Sequence, residues 1–293
     1  MTASAHLPVS SPVPSTSLPR EVRGSALTRS MAAEAVKVLR RRTIWITLAV
    51  LSAVAVGGTT LSIMAAEPVA GPGGSGPGPD ALLSTQSLAD AGGGTAVFSQ
   101  TVAFTYVFLL AVFVAAVASE FTRGTFRTML LHQPSRGRLL AGKVTVLVGY
   151  AFSAAVLGAV LSWITARLIA PSQGIDTSQW MTVDGLAAAA EDLGRVALFL
   201  IGTAIFATTV GVLARSVPIG VGVALVWSGP VENVLGDGWT QAENWFPGLL
   251  LRAVLLPGST DTSTARALVT LSAYAVVALS ITAVALRRRD VTS

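Results

Sequence analysis

The sequence contains no cysteine, which excludes disulfides, thiolate metal sites and cysteine nucleophiles. Its two histidines, His6 and His132, do not supply a histidine-based metal site. Charge is scarce as well. Only 12% of residues are charged, where a soluble domain carries about a quarter. The charges fall into clusters, and the stretches between them are long enough to cross a membrane. With 52% hydrophobic residues and a mean hydropathy of +0.66, the chain reads as an integral membrane protein.

The isoelectric point near 10.4 is not a nucleic-acid signal. Nucleic-acid binders gather Lys and Arg on one face of a soluble fold. Here the basic residues stand at the ends of hydrophobic runs, where they determine topology. No nucleic-acid partner is expected; membrane lipid is.

Residues 1–24 are rich in Ser, Pro and Thr and are expected to form a disordered tail. They do not read as a secretory signal, because the first hydrophobic run starts only at Thr43. From Ser25 to Arg42 the spacing of Leu27, Met31 and Ala35 predicts an interfacial helix with its basic side in the headgroups. Six hydrophobic segments follow, near Thr43–Ala65, Val97–Ala118, Val144–Ile169, Val196–Leu213, Pro218–Val234 and Ala267–Leu286. Each matches a hydrocarbon core of ~30 Å. The fold class expected is an all-α membrane protein with six transmembrane helices over residues 25–289.

Orientation follows from counting. With both termini cytoplasmic, 16 Lys and Arg lie inside and four outside (Arg167, Arg195, Arg252 and Arg266), while four acidic residues lie inside and eleven outside. That asymmetry is the positive-inside pattern of a multi-pass cell-membrane protein with an even number of spans.

Among the outer segments, residues 66–96 read as a flexible Gly/Pro/Ser loop without a core. Residues 241–258 are too apolar for open solvent, yet too short for a seventh span with Pro247-Gly248 inside them. They predict either a re-entrant or interfacial helix hairpin before the last span or a hydrophobic loop capping the bundle. The tryptophans fall near span ends or in outer loops, the interfacial belt. Ala154 and Gly158 permit close helix approach, more simply bundle packing than a dimer seam.

No ionisable residue is expected at the centre of a span; Arg167 and Arg195 sit near interfaces and can snorkel. Ion-coupled carriers use buried Asp, Glu or His, so the energy source is expected outside this chain. Gly137 to Lys143 have the GxxxxGK spacing of a phosphate-binding loop. Val144 replaces the magnesium-binding hydroxyl and no strand precedes, so the segment reads as a helix start with a basic anchor.

One segment stands apart. Between the second and third spans runs SEFTRGTFRTMLLHQPSRGRLLAGK, too charged for lipid and too patterned for a plain connector. From Glu120 to Leu131 a helix places Phe126, Met129 and Leu130 on one face, with Arg123 and Arg127 on another. Pro134 ends it and Ser135 is placed to cap the next helix. The plainer alternative is a solvated loop with topology-setting arginines.

This stretch resembles the region after the second span in ABC-2 type permeases, the membrane subunits of many bacterial ABC exporters. The residues carrying the likeness are Glu120, Gly124, Thr125, Arg127, Pro134, Ser135, Arg136 and Lys143. The six-span layout, the helix before span one and the apolar segment before span six extend it over roughly 25–289.

The resemblance implies a coupling helix gripped by a separate cytosolic ABC ATPase subunit. Phe126, Met129 and Leu130 would dock, Arg123, Arg127 and Arg136 would be polar partners, and Glu120 would pair with a nearby arginine at the base of span two. It implies a second permease, identical or paralogous, and a translocation path between the two. The chain itself would be no enzyme and hold no cofactor, with ATP and magnesium in the partner. The substrate, a small molecule or lipid, is not specified. The alternative is a stand-alone channel or scaffold; an intramembrane enzyme is a weaker third, for want of catalytic groupings in the spans.

Overall fold

A computed structural model describes residues 42–66, 83–123, 136–239, 241–259 and 261–288. The tail 1–24, the helix expected over Ser25–Arg42 and the centre of the basic insert lie outside the described residues.

The described residues are all-helical. In chain order they form α1 (Arg42–Met64), α2 (Thr85–Ala89), α3 (Gly93–Phe104), α4 (Tyr106–Thr122), α5 (Arg136–Ile169), α6 (Val183–Ala214), α7 (Val217–Val226), a π turn (Trp227–Val231), α8 (Glu232–Gly238), α9 (Pro247–Leu255) and α10 (Thr264–Arg288). Five stretches are long and apolar enough to cross a membrane: α1, α5, α6, α10, and α7 continued through the π turn into α8. The pair α3 and α4 makes a sixth if counted as one broken span, bent by 56°. The chain is a helical, multi-pass membrane protein.

The bend has a local cause. The Thr105 hydroxyl donates to the carbonyl of Val102 at 2.9 Å, and its backbone N–H is shared between Thr101 and Val102. A side chain that competes for the helical carbonyls in this way breaks the ladder. Beneath the bend lies an apolar cleft of ≈ 70 Å³, walled by Val54, Phe98, Thr101, Thr105 and Gly158.

Helix α6 is the hub. Phe199, Leu200, Ala204 and Ala207 are buried on it, against Leu110, Phe113 and Val114 of α4 and Leu251 and Leu255 of α9. Glycines let α4 approach closely. A Cβ on Gly211 would lie 2.9 Å from Val117 Cβ, and one on Gly220 would lie 2.8 Å from Val114 Cγ1. Gly158 likewise meets Phe98 and Ala55, so the pair Ala154 and Gly158 serves packing inside the chain. Buried hydroxyl pairs add polar links: Thr59 with Ser162 at 2.6 Å joins α1 to α5, and Thr209 with Thr282 at 3.0 Å joins α6 to α10.

Several helices outrun their apolar segments. At ~1.5 Å per residue, the 32 residues of α6 exceed a membrane core. Its extra turns start at Thr182, whose side chain accepts from Gly185 N–H, and carry Glu191, Asp192 and Arg195. The reading of 66–96 as a loop without a core is corrected over its described part. Leu88 is buried, and Trp180 donates its indole N–H to the Leu88 carbonyl at 2.9 Å. Thr95 donates to Asp192 at 2.5 Å. Trp180, at 2% exposure, is thus a core residue rather than a member of the belt. The sequence hid this because its partners lie about ninety residues away.

The segment 241–258 forms a short 3-10 turn and then α9, buried almost throughout. Leu251 reaches Gly202, well inside the apolar part of α6.

Candidate functional site

The basic insert lies at one end of the bundle. There Val117 of α4, Leu140 of α5, Val212 of α6 and Ala285 and Leu286 of α10 form one buried cluster, with Phe121 and Val144 packed on it. Four helices therefore converge where the insert begins and ends.

Helix α4 stops at Arg123, whose backbone N–H closes on Ser119. The Arg215 guanidinium lies over the Phe121 ring at 5.5 Å, and Thr122 donates to the Arg215 carbonyl at 3.4 Å. Arg215 also makes the α6–α7 corner. Its φ of 50° is left-handed, a conformation that costs a non-glycine residue roughly 1–2 kcal/mol. Pro218 in the first turn of α7 then supplies the φ a helix start needs.

Helix α5 begins at Arg136, so residues 137–143 lie inside a continuous helix. A phosphate-binding loop needs its backbone N–H groups turned toward the ligand; here those beyond the first turn bond within the helix. The GxxxxGK spacing is a coincidence of helical sequence.

The two ends of the insert are joined by an ion pair as well as by the packing of that cluster. Lys143 Nζ lies 2.5 Å from Glu120 Oε1, and the two side chains are only 14% and 17% exposed. Lys143 is thus one partner of Glu120 among the described residues. Glu120 lies two residues before the end of α4 and Lys143 seven residues into α5, where the surrounding apolar side chains screen them from water and strengthen the attraction. Of the other expected site residues, Arg123 is exposed at the end of α4 and Arg136 opens α5. Gly124, Thr125, Phe126, Arg127, Met129, Leu130 and Pro134 lie outside the described residues.

A second cluster was missed. No ionisable residue is expected at the centre of a span, yet Glu232, near the end of the fifth, is 2% exposed in the helix that continues α7. The signal was available, because Glu232 falls inside the run Pro218–Val234, and an acidic residue within such a run is a functional candidate by default. Counting it among the outer charges concealed it.

Among the described residues no group of His, Cys, Asp and Glu could hold a metal ion. Comparison with curated proteins gives no match. Residues 84–292, which run from the residue before α2 to just past the end of α10 and so include both clusters, match the family described as "Protein of unknown function (DUF2705)". The chain belongs to that family.

Proposed function

We propose that the chain is the permease subunit of an ATP-driven ABC exporter. It spans the cell membrane six times with both termini in the cytoplasm, pairs with a second permease, and is moved by separate cytosolic ATPase subunits. The observation that carries the reading is the Glu120–Lys143 pair at the base of the basic insert. A segment pushed from the cytosol transmits force only if its two ends are fixed to the helices it must move. The ion pair fixes them to each other, and the cluster of Val117, Leu140, Val212 and Leu286 fixes both to the bundle.

Topology supports it. Residues expected inside, such as Phe121, Leu140 and Leu286, gather at one end, while Ile63, Leu88, Ile175 and Trp180, expected outside, gather in a separate cluster. That separation is what α3 and α4 produce when they count as one span.

The test is transport by the chain reconstituted with its ATPase. Arg127→Glu or Arg136→Glu should abolish ATP-driven transport while membrane insertion stays normal. Transport that continues without ATP or ATPase contradicts the reading and favours a stand-alone channel.

A further inference from the structure

The helix that continues α7 does not run straight. Pro230 has no N–H to give, and the hydrogen-bond register slips into a π turn over Trp227–Val231. Asn233 compensates by donating its amide to the carbonyls of Ser228 at 3.2 Å and Gly229 at 2.8 Å. The next residue past the turn is Glu232. Its Oε1 accepts the Trp227 indole N–H at 2.8 Å and the Gly248 backbone N–H at 2.9 Å.

Gly248 sits in the first turn of α9, where backbone N–H groups have no partner within the helix. Pro247 before it has none to offer. Glu232 therefore satisfies an orphan donor on a different element and places its carboxylate at the positive end of the α9 dipole. The approach needs glycine: a Cβ at residue 248 would overlap the Glu232 carboxylate and lie 2.6 Å from the Tyr106 ring. Trp227 also meets Phe246 edge-on, with centroids 6.0 Å apart, just before α9 begins.

Helix α9 is short, at 9 residues. It is buried between α6 and α10, with Leu251 against Gly202, and Leu250, Ala253 and Val254 against Ala267. Its far end leaves through a turn at Gly258, where φ is 80°. One buried carboxylate thus joins an apolar plug to a helix with a built-in defect.

We propose that Glu232 is a latch: through Trp227 and Gly248 it locks α9 into the bundle, and the π turn at Pro230 is the hinge on which the latch opens. Glu232 is a positioning residue here. The inference stands on the contacts of α9 and does not rest on the transporter reading.

The native chain has no cysteine, so single cysteines report cleanly. Leu250→Cys, at a site 0% exposed on α9, and Ala204→Cys, at a site 3% exposed on α6, would be labelled with a charged maleimide in nanodiscs, where both faces are accessible. Glu232→Ala should speed labelling at 250 at least tenfold and leave 204 unchanged. Glu232→Gln, whose amide oxygen can accept the same two bonds, should leave both slow. Adding Pro230→Ala to Glu232→Ala should slow labelling at 250 at least threefold by restoring the missing N–H. Unchanged labelling at 250 in Glu232→Ala, or an equal rise at 204, overturns the latch. Insensitivity to Pro230→Ala overturns the hinge.

Discussion

Lys143 holds Glu120 at 2.5 Å across 23 residues of sequence, and the chain between them carries the whole basic insert. Breaking a well-buried ion pair by removing one partner costs about 3–5 kcal/mol. These two side chains keep some access to water, so Lys143→Met is expected to cost roughly 1–3 kcal/mol. The exchange Glu120→Lys with Lys143→Glu should recover much of that. Thermal unfolding in detergent measures both; equal loss in the single and exchanged variants would mean that the pair does not act as a pair.

Close helix approach predicts a contrast between two glycines. Gly211→Ala forces a Cβ to 2.9 Å from Val117 Cβ and 3.2 Å from the Val114 carbonyl, atoms with little freedom to move. It should destabilise by about 1–3 kcal/mol. Gly222→Ala on α7 meets nothing within 4 Å. It should be neutral or stabilising by ~0.5–1 kcal/mol, as helix propensity dictates. The same unfolding assay ranks them.

How much of this was legible depended on the range of the interaction. The spans, the 16-to-4 asymmetry and the helical insert ends are local properties of the sequence, and α1, α5, α6 and α10 lie where the hydrophobic runs put them. The bend at Thr105 was not readable, since threonine inside a span is common and only its hydroxyl geometry decides. Trp180 looked like a belt residue because Leu88, its partner, is distant in sequence. Glu232 was misplaced because a residue two positions from the end of a charge-poor run counts equally well as span or loop. Only the N-terminus of α9, folded back against it, shows which.

The buried Thr59–Ser162 contact, 2.6 Å, has both residues at 0% exposure. Thr59 also donates to the Ala55 carbonyl at 2.7 Å, so the unpaired alternative is not a bare hydroxyl. A double-mutant cycle with Thr59→Val and Ser162→Ala should give a coupling energy of about 0.6 kcal/mol and no more than ~1.7. Zero coupling would mean that the helices meet there by packing alone.

In the Leu88–Trp180 cluster, Trp180→Phe keeps an aromatic ring, though a smaller one, and removes the bond to the Leu88 carbonyl. That leaves a buried acceptor short, at a cost of about 1–3 kcal/mol. The loss should be local. Amide exchange should quicken in Thr85–Ala89 and Ser178–Met181 and remain unchanged in Val196–Leu213. Uniform acceleration would show instead that this cap and the membrane helices unfold together.

The central claim is that a separate ATPase grips the insert, and purification from native membranes in mild detergent tests it most directly. The full chain would be compared with a Phe126→Asp, Arg127→Glu variant, and co-purifying proteins identified by mass spectrometry. The account predicts a stoichiometric ATP-binding subunit with the wild type that is lost from the variant, while the chain itself remains in the membrane. A chain that purifies without such a subunit in both cases would contradict the account and leave a stand-alone membrane protein.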